Sequence, residues 1–425
     1  MRIHVVKPGE SIYIIAQQYR VSPEKIISDN ELANPAQLVV GQTLVILEGY
    51  RLHRVRPGET IYSISRDYKM ATEDLIEANP QITNPSMIYV GQIITIPPMT
   101  MDFGTIQVNG YAFPNIKKEV LKNTLPSLTY LSIFSYQVKP DGSLTTIDDV
   151  PLINTARGEG VASFMVVTNI KEGGSFDSDL AHTILTNLEV QNNLISNITK
   201  TLKDKTYYGL DIDFEYIYAN DRENYNNFLR KITSVLRPLG YSITTALAPK
   251  ISADQPGVLY QGHDYPVHGA LADHVIIMTY EWGFTYGPPM AVAPLNQVRK
   301  VLNYAVTAIP RSKIFMGIPN YGYDWTLPYK PGTAAKAISN TGAVELAYQV
   351  GANIQFDPIA QAPFFRYYDK SGNQHEVWFE DARSILAKLE LANEYRLGGI
   401  SYWTIGRDFP QNWLVLNSVY KVKKV

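Results

Sequence analysis

The chain contains 425 residues, of which 38 are basic and 40 acidic, and its formal net charge at pH 7 is −2. This length allows one large domain with additional small modules, and the balanced charge argues against nucleic acid or an anionic membrane as the main partner. The chain has no cysteine, and its seven histidines are scattered. We therefore expect no disulfide framework and no metal site.

Signals for a membrane or for secretion are also missing from the sequence. No apolar run reaches the roughly 18 residues that span a bilayer. Residues 1–9, MRIHVVKPG, have no basic segment followed by an apolar core. We therefore expect no membrane partner and no recognisable secretory signal peptide.

The N-terminal part of the chain is an internal repeat. Residues 6–13, VKPGESIY, recur as residues 55–62, VRPGETIY, and Asn30 recurs as Asn79. Each copy predicts a strand, two helices and a second strand. Residues that favour helix N-caps precede the predicted helices. They are Ser11 and Thr60 for the first helix of each copy, and residues 22–24 and 72–74 for the second.

This repeat resembles the LysM module, which binds glycans that contain N-acetylglucosamine. The resemblance covers residues 1–48 and 51–97, and residues 97–100 are then a short linker. It implies a glycan groove in each copy, between the loop after the first strand and the loop before the last. These loops contain Gly9, Glu10, Ser11, Asn34 and Pro35, and Gly58, Glu59, Thr60, Asn84 and Pro85. The alternative is that the Pro-Gly and Asn-Pro pairs only form turns.

From residue 101 to residue 425, strand and helix patterns alternate, which predicts an α/β fold with a parallel sheet and crossover helices. Helices are expected at 176–197 and 221–236. Eight apolar runs predict the strands of a (β/α)8 TIM barrel. These runs are 105–113, 129–136, 162–168, 208–216, 242–249, 274–281, 315–321 and 399–405.

The alternation breaks between about residues 324 and 381. Residues 364–379 predict two strands joined by the turn KSGN at 370–373, and residues 334–348 predict a helix. We interpret this segment as a small α+β insertion that raises one wall of a cleft.

Three carboxylates lie within the fourth predicted strand. Asp211, Asp213 and Glu215 alternate with large apolar residues in the sequence YGLDIDFEY at 208–216, so they share one face of the strand, roughly 6–7 Å apart. Like charges at this spacing raise at least one pKa, as a general acid requires. The alternative is an acidic edge strand that opposes aggregation, but the apolar partners favour a central strand.

The spacing of these acids resembles the D-x-x-D-x-D-x-E signature of family 18 glycoside hydrolases, which are chitinase-like (β/α)8 barrels. The resemblance implies that Glu215 is the proton donor, that Asp213 holds the acetamido group of the substrate and that Asp211 supports Asp213. Tyr208 replaces the first Asp of the signature, a position that supports the charge network around the acids in that family.

Other site candidates lie at the carboxyl ends of the predicted strands, where barrel enzymes place their active sites. Residues 278–281, MTYE, are similar to the family's M-x-Y-D, which implies that Tyr280 hydrogen-bonds the acetamido oxygen and that Glu281 replaces the Asp. Trp403 matches the Trp on which the central sugar stacks. Further predicted substrate-binding residues are Asn320, Tyr321, Trp282 and Tyr111. The alternative for Trp282, Trp325 and Trp403 is packing in the core.

The resemblance implies a retaining mechanism assisted by the substrate, an exception to the usual pair of carboxylates. The acetamido carbonyl attacks C1 while Glu215 protonates the leaving oxygen, and neither a metal nor an organic cofactor takes part.

The tandem modules and the Tyr208 replacement resemble the spore-cortex fragment-lytic N-acetylglucosaminidases of endospore-forming bacteria. We therefore predict a monomeric hydrolase of N-acetylglucosamine linkages in peptidoglycan, located at the boundary of spore coat and cortex. The alternatives are a chitinase and a chitinase-like lectin without catalytic activity.

Overall fold

A computed structural model describes residues 1–98 and 101–425. The chain divides into two compact units, Met1–Asp102 and Phe103–Val425. The predicted linker at 97–100 includes Met99 and Thr100, which lie outside the described residues. Across the part that is described, none of the helices combines the length and apolar character needed to traverse a membrane.

The first unit contains two copies of one small α+β arrangement, in which two antiparallel strands enclose a pair of helices. The first copy consists of β1 (Arg2–Val5), α1 (Ile12–Tyr19), α2 (Pro23–Asp29) and β2 (Thr43–Ile46). The second consists of β3 (Arg51–Arg54), α3 (Ile61–Asp67), α4 (Thr72–Glu77) and β4 (Ile93–Ile96). The predicted order of elements in the repeat is confirmed.

Three of the four predicted helix caps in this unit are confirmed. The side chains of Ser11, Ser22 and Thr60 accept hydrogen bonds from backbone N–H groups in the first turns of α1, α2 and α3. The cap predicted within 72–74 is wrong, because α4 begins after Ala71, which provides no side-chain cap. The hydroxyl of Thr72 instead bonds a serine hydroxyl of α3 at 2.9 Å.

The repeated asparagine joins helix to strand in each copy. Asn30 is buried, and its amide donates to the carbonyls of Ile26 (3.0 Å) and Val45 (2.8 Å) and accepts from the Val45 N–H (2.8 Å). Asn79 makes the same three bonds in the second copy. An amide buried with these partners stabilises its module, because a polar group buried without hydrogen bonds would lower the free energy of unfolding.

The second unit is a closed barrel of eight parallel strands that pair in chain order, the last with the first. The strands are β5 (Thr105–Ala112), β6 (Tyr130–Gln137), β7 (Ala162–Thr168), β8 (Gly209–Asp213), β9 (Ser242–Leu247), β10 (His274–Ile277), β11 (Ile314–Pro319) and β17 (Gly399–Trp403). This confirms the predicted (β/α)8 barrel, although several strands end earlier than expected. The short strand β18 (Lys421–Val422) pairs with the start of β5.

Helices connect the strands of this barrel. They are α5 (Lys118–Thr124), α6 (Val150–Gly158), α7 (Ser178–Thr186), α8 (Leu188–Lys205), α9 (Arg222–Leu236), α10 (Val258–Gln261), α11 (Tyr265–Leu271), α12 (Leu295–Ala308), α14 (Ala382–Tyr395) and α15 (Pro410–Val419). The helix expected at 221–236 is confirmed as α9. The helical stretch expected at 176–197 is confirmed from Ser178 onward, but it forms two helices, because Asn187 ends α7 and its side chain caps α8.

The insertion between β11 and α14 is a five-stranded antiparallel sheet with one helix. Its elements are β12 (Gly322–Leu327), β13 (Lys336–Ile338), α13 (Asn340–Gln349), β14 (Gln355–Asp357), β15 (Ala362–Tyr368) and β16 (Gln374–Trp378). The predicted hairpin is confirmed as β15 and β16. The helix predicted at 334–348 is wrong in its first part, which forms β13, because Ser339 caps α13 by accepting from the Gly342 N–H at 3.0 Å.

Candidate active site

A cavity of about 460 Å³ opens at the carboxyl ends of the barrel strands. It is lined by most of the predicted site residues, namely Tyr111, Asp213, Glu215, Tyr280, Glu281, Trp282 and Trp403. Residues 278–281 directly follow β10 and Trp403 ends β17, so the barrel brings together side chains that are distant in sequence.

The three acids follow the predicted alternation, although the strand itself is shorter than 208–216. Asp211 and Asp213 lie in β8, and Glu215 follows two residues after its end. The intervening residues Ile212 and Phe214 are fully buried. Apolar burial on one side therefore directs the carboxylates toward the barrel axis and the cavity.

Asp211 lies at the base of the site and is fully buried. The hydroxyls of Tyr111 (2.7 Å) and Ser132 (3.1 Å) donate to its Oδ2. Burial raises the pKa of Asp211 to about 6, and these two hydrogen bonds oppose the rise. Tyr208 does not support the acids as its signature position suggests, since its ring stacks on Tyr130 with a centroid distance of 5.9 Å. Tyr111 and Ser132 supply that support.

Asp213 and Glu215 are close enough for the charge of one to affect the pKa of the other. Burial raises the pKa of Asp213 well above its usual range, and the negative charges of Glu215 and Asp211 add to this effect. Burial likewise raises the pKa of Glu215 to about 7, with a further contribution from Glu281. A protonated Glu215 near neutral pH is what a general acid requires. The sequence predicted raised pKa values from like charges, but desolvation is the larger cause.

Tyr280 and Glu281 line the same cavity as Asp213 and Glu215. Tyr280 is buried and lines the cavity, and desolvation keeps its hydroxyl protonated by raising its pKa well above the usual range. The carboxylate of Glu281 accepts hydrogen bonds from Tyr321 and from Tyr323, the latter at 3.1 Å. Tyr323 was missed by sequence reasoning because it lies in the first strand of the insertion, where no motif marks it.

Trp403 is half-buried at the end of β17 and lines the cavity. The rings of Phe134 (4.8 Å), Tyr111 (5.3 Å) and Phe113 (5.9 Å) pack edge-on against its indole. This support holds the indole in one orientation, so that a sugar ring can stack on it. Trp325, in contrast, is a core residue that is 2% exposed and donates to the Gly287 carbonyl at 2.8 Å.

Asn320, which the sequence predicts to bind substrate, has its amide engaged within the protein. Asn320 is 3% exposed, and its Nδ2 donates to the carbonyls of Thr404 (2.9 Å) and Arg407 (2.8 Å). Its Oδ1 accepts from Asn340 at 3.3 Å. The amide is therefore engaged in holding the loop after β17, although it follows a strand end as a cleft residue would.

Sequence reasoning also missed Asn169, a buried residue that directly follows β7. Its Oδ1 accepts from the backbone N–H of Glu215 at 2.9 Å, and its Nδ2 donates to the Glu215 carbonyl at 2.8 Å. One side chain thus binds both backbone polar groups of the residue that carries the acid. No signal in the sequence marks this role, because the partner is a backbone rather than a side chain.

His263 fixes the peptide group that precedes Glu215. Its Nδ1 accepts from the Ala248 N–H (2.9 Å), so its Nε2 carries the proton and donates to the Phe214 carbonyl (2.9 Å). Burial lowers the pKa of His263 to about 4, which keeps the ring neutral in this arrangement.

Replacing Asn169 by Asp should lower kcat roughly 10- to 10²-fold with little change in KM, because the carboxylate cannot donate to the Glu215 carbonyl and the acid loses its position. The introduced carboxylate also places a negative charge close to Glu215, and a like charge raises the pKa of a carboxyl, so the alkaline limb of kcat/KM should move to higher pH. Asn193→Asp is the matched control, since Asn193 donates to a surface carbonyl of Asp141 at 3.3 Å. An unchanged kcat in Asn169→Asp would show that Asn169 does not position the acid.

In the repeats, the predicted groove residues lie on loops, and several of them also have structural partners, as Ser11 and Thr60 do at the helix caps. Gly9 and Gly58 have φ angles of 80° and 81°, a conformation that favours glycine. The carboxylate of Glu10 accepts from the Lys7 N–H and contacts His4 Nε2, each at 2.8 Å. Glu59 makes the equivalent contacts. Both carboxylates thus stabilise their loops, and glycan binding by the groove residues stays a prediction.

Residues 1–98 and 101–425 contain no group of three or more His, Cys, Asp or Glu side chains arranged to hold a metal ion.

An acid on a barrel strand above a second buried carboxylate, together with an aromatic floor, defines a glycoside hydrolase site. The model of the glycosyl hydrolases family 18 matches residues 112–408, and the LysM domain model matches residues 4–47 and 53–97. The chain belongs to family 18 of the glycosyl hydrolases.

Several relatives match the chain over its full length. It is 44% identical to the cortical fragment-lytic enzyme of Bacillus subtilis, over 100% of this chain and 99% of the relative. It is similar to the crystal structure of the spore cortex-lytic enzyme SleL of Bacillus megaterium, with 42% identity, a TM-score of 0.88 and coverage of 100% and 99%. A chitinase from Chromobacterium violaceum is 26% identical with a TM-score of 0.68, over 74% of this chain and 98% of that one.

Proposed function

We propose that this chain is a retaining, substrate-assisted N-acetylglucosaminidase that cleaves peptidoglycan fragments of the spore cortex. The observation that carries the proposal is that Asp213 and Glu215, at and just after the end of one strand, line one cavity with Trp403 and Tyr280. Asp211 is buried in the same strand. Full-length similarity to cortical fragment-lytic enzymes supports the choice of substrate.

The geometry supports the substrate's acetamido group as the nucleophile. Asp213 and Glu215 come from one strand, and the remaining carboxylate of the cavity, Glu281, already accepts hydrogen bonds from two tyrosines. Asp213 has a buried oxygen without a hydrogen-bond partner among the described residues. Since buried polar atoms are rarely left unpaired, this carboxylate is suited to accept the acetamido N–H.

The reaction then has two steps. In the first, Glu215 donates its proton to the glycosidic oxygen, the C1–O bond breaks, and the acetamido carbonyl oxygen bonds C1 to form an oxazolinium ion. Asp213 stabilises the positive charge of this ion, and Tyr280 orients the acetamido oxygen. In the second step, a water molecule gives a proton to Glu215 and attacks C1. The C1 bond to the acetamido oxygen breaks, and the configuration at C1 is retained.

A chitinase is the second candidate, because the fold is shared with the chitinase of Chromobacterium violaceum. Both substrates present N-acetylglucosamine, so the site alone does not separate them. Digestion of purified cortex fragments and of chitooligosaccharides in parallel tests the proposal. We expect a higher kcat/KM on cortex fragments. Hydrolysis confined to chitooligosaccharides would favour the chitinase, and binding of either glycan without hydrolysis would favour a lectin.

We also propose that the two LysM modules hold the enzyme on an insoluble glycan at the boundary of spore coat and cortex, and that it acts there as a monomer. Two linked weak sites raise avidity without new contacts. The catalytic cavity is lined by residues of the second unit, so retention and catalysis are separable.

Removal of residues 1–97 should therefore leave hydrolysis of small soluble fragments largely intact while reducing sedimentation with insoluble cortex. Avidity arguments place the loss of apparent affinity at about 10²-fold or more. Cosedimentation and soluble-fragment kinetics of the same preparation measure the two effects. Equal cosedimentation of full-length and shortened chains would contradict this role for the modules.

A further inference from the structure

The catalytic cavity continues beyond Trp403 and Glu281 into a second cavity of about 510 Å³. Trp403 and Glu281 line both cavities, so the two are adjacent parts of one cleft. We call the second cavity the side lobe. Besides those two residues, its main walls are Phe113, Lys117, Tyr321, Tyr323 and Arg407.

Two cations of the side lobe have no carboxylate partner. Arg407 donates through one nitrogen, Nη1, to the Ile338 carbonyl at 3.1 Å, and its guanidinium lies 5.7 Å from the centroid of the Tyr321 ring. Lys117 is exposed. Within the described part of the chain, neither side chain belongs to any of the ion pairs, from Arg2–Glu48 to Lys388–Glu380. Both can therefore bind an anionic ligand.

The anion that Arg407 and Lys117 could bind is not supplied by the protein itself. Among the residues that the structure describes, Glu281 is the one carboxylate in the lining of the side lobe, and its oxygens accept hydrogen bonds from Tyr321 and Tyr323. The tyrosines thus hold Glu281 on the floor between the two cavities, while the cations line the lobe beside it. A neutral chitin chain would give neither cation an anionic partner.

The substrate of the proposed function supplies such an anion. Peptidoglycan alternates N-acetylglucosamine with muramic residues, so a muramic residue lies on either side of the N-acetylglucosamine that stacks on Trp403. This holds whichever direction the glycan runs. The muramic O3 substituent is a lactyl group, which ends in a carboxylate, either its own or that of an attached peptide. In the muramic lactam this carboxylate forms the lactam amide, so the sugar carries no free carboxylate.

We propose that Arg407 and Lys117 bind the carboxylate of the O3 substituent of the muramic residue next to the N-acetylglucosamine on Trp403. The guanidinium is planar and can pair with a carboxylate through two parallel hydrogen bonds, and the ammonium of Lys117 adds a second positive charge. The inference rests on the proposed function and deepens it, because it makes the side lobe a determinant of specificity for acidic glycans over neutral ones.

The test uses the full chain and four soluble substrates of equal length. These are an oligosaccharide with free muramic carboxylates, one with muramic peptides, one with muramic lactams, and a neutral chitooligosaccharide. For Arg407→Met and Lys117→Met, we expect the ratio of kcat/KM on acidic to neutral substrates to fall about 10- to 100-fold, as for loss of a hydrogen bond to a charged group. Methionine keeps an apolar stem of similar length. Lys118→Met is the matched control, because Lys118 is also exposed but does not line the lobe.

The four substrates distinguish the outcomes. A fall on the substrate with free muramic carboxylates alone identifies the lactyl carboxylate as the ligand, and a fall on the peptide substrate alone identifies the peptide carboxylates. A fall on both shows that the side lobe accepts either carboxylate. Each of these results supports the inference. An equal change on acidic, lactam and neutral substrates in both variants would overturn it. If the unmodified chain hydrolysed none of the muramic substrates, the proposed function would fail independently of the side lobe.

Discussion

Glu215→Gln is expected to lower kcat by at least about 10²- to 10⁴-fold, the range typical of losing a general acid–base group. Glutamine keeps the volume and the backbone contacts of Glu215 with Asn169, but it has no proton to transfer to the glycosidic oxygen. Steady-state kinetics on soluble cortex fragments measure this loss, and circular dichroism checks that the fold is retained. Glu119→Gln, at an exposed position on α5, is the matched control.

The same residue sets the alkaline limb of the pH profile. The first step requires protonated Glu215, and burial raises its pKa to about 7. The value of kcat/KM for the unmodified chain should therefore fall as the pH rises through about 7. Near-normal turnover by Glu215→Gln, or an activity that still rises well above pH 8, would contradict the assignment of the acid.

Asp213→Asn is expected to lower kcat about 10²-fold or more, since the variant removes the negative charge that stabilises the oxazolinium ion. The same change should make the protein more stable at pH 8. The pKa of Asp213 is raised in the folded state above its unfolded value, so the folded state binds the proton more tightly. Its stability is fully present below the unfolded pKa and is lost as the pH rises through the folded pKa. Asparagine does not ionise and avoids this loss.

Calorimetry of Asp213→Asn and of the unmodified chain at pH 4 and pH 8 measures the effect on stability. We expect the melting temperature of the variant to exceed that of the unmodified chain by more at pH 8 than at pH 4. The prediction would be contradicted if the melting temperatures of the two proteins changed equally between pH 4 and pH 8 and the variant kept full activity. Asp213 would then be neither buried as an anion nor needed for catalysis.

Much of the fold and part of the site could be predicted, because they follow from simple periodic patterns in the sequence. The alternation around Asp211 and Asp213 fixes the side of the strand on which they lie, since the side-chain period of a strand is two. The recurrence of Asn30 as Asn79 indicates two equivalent modules from the sequence alone, without knowledge of the contacts that these residues make. The turn of the β15–β16 hairpin was also predictable from its residue types.

The remaining parts depend on contacts that no local pattern records. A strand-end position shows where Asn320 lies, but not that its amide is turned toward the loop after β17. Asn169 acts on the backbone of a residue in another strand, and nothing in its neighbourhood in the sequence shows this. The large effect of burial on the pKa of Glu215 likewise depends on the assembled barrel, whereas the sequence shows only the neighbouring charges.

The identity of the bond that is cut follows from the proposed mechanism. In a muramic lactam, the amide is tied to the O3 substituent of its own sugar, so its carbonyl is held away from C1 and cannot form the oxazolinium ion. N-acetylglucosamine has a free acetamide, which can reach C1 between Asp213 and Tyr280. A substrate-assisted site therefore has to place N-acetylglucosamine, and not the lactam sugar, on the non-reducing side of the cut.

The direct test of this account is the identity of the new reducing ends in a digest of cortex fragments. Borohydride reduction of the digest, followed by mass spectrometry, labels and identifies each new end. Substrate-assisted cleavage at the site of Asp213, Glu215 and Tyr280 predicts fragments that end in reduced N-acetylglucosamine. Reduced muramic residues as the main new ends would contradict both the bond assignment and the substrate-assisted mechanism.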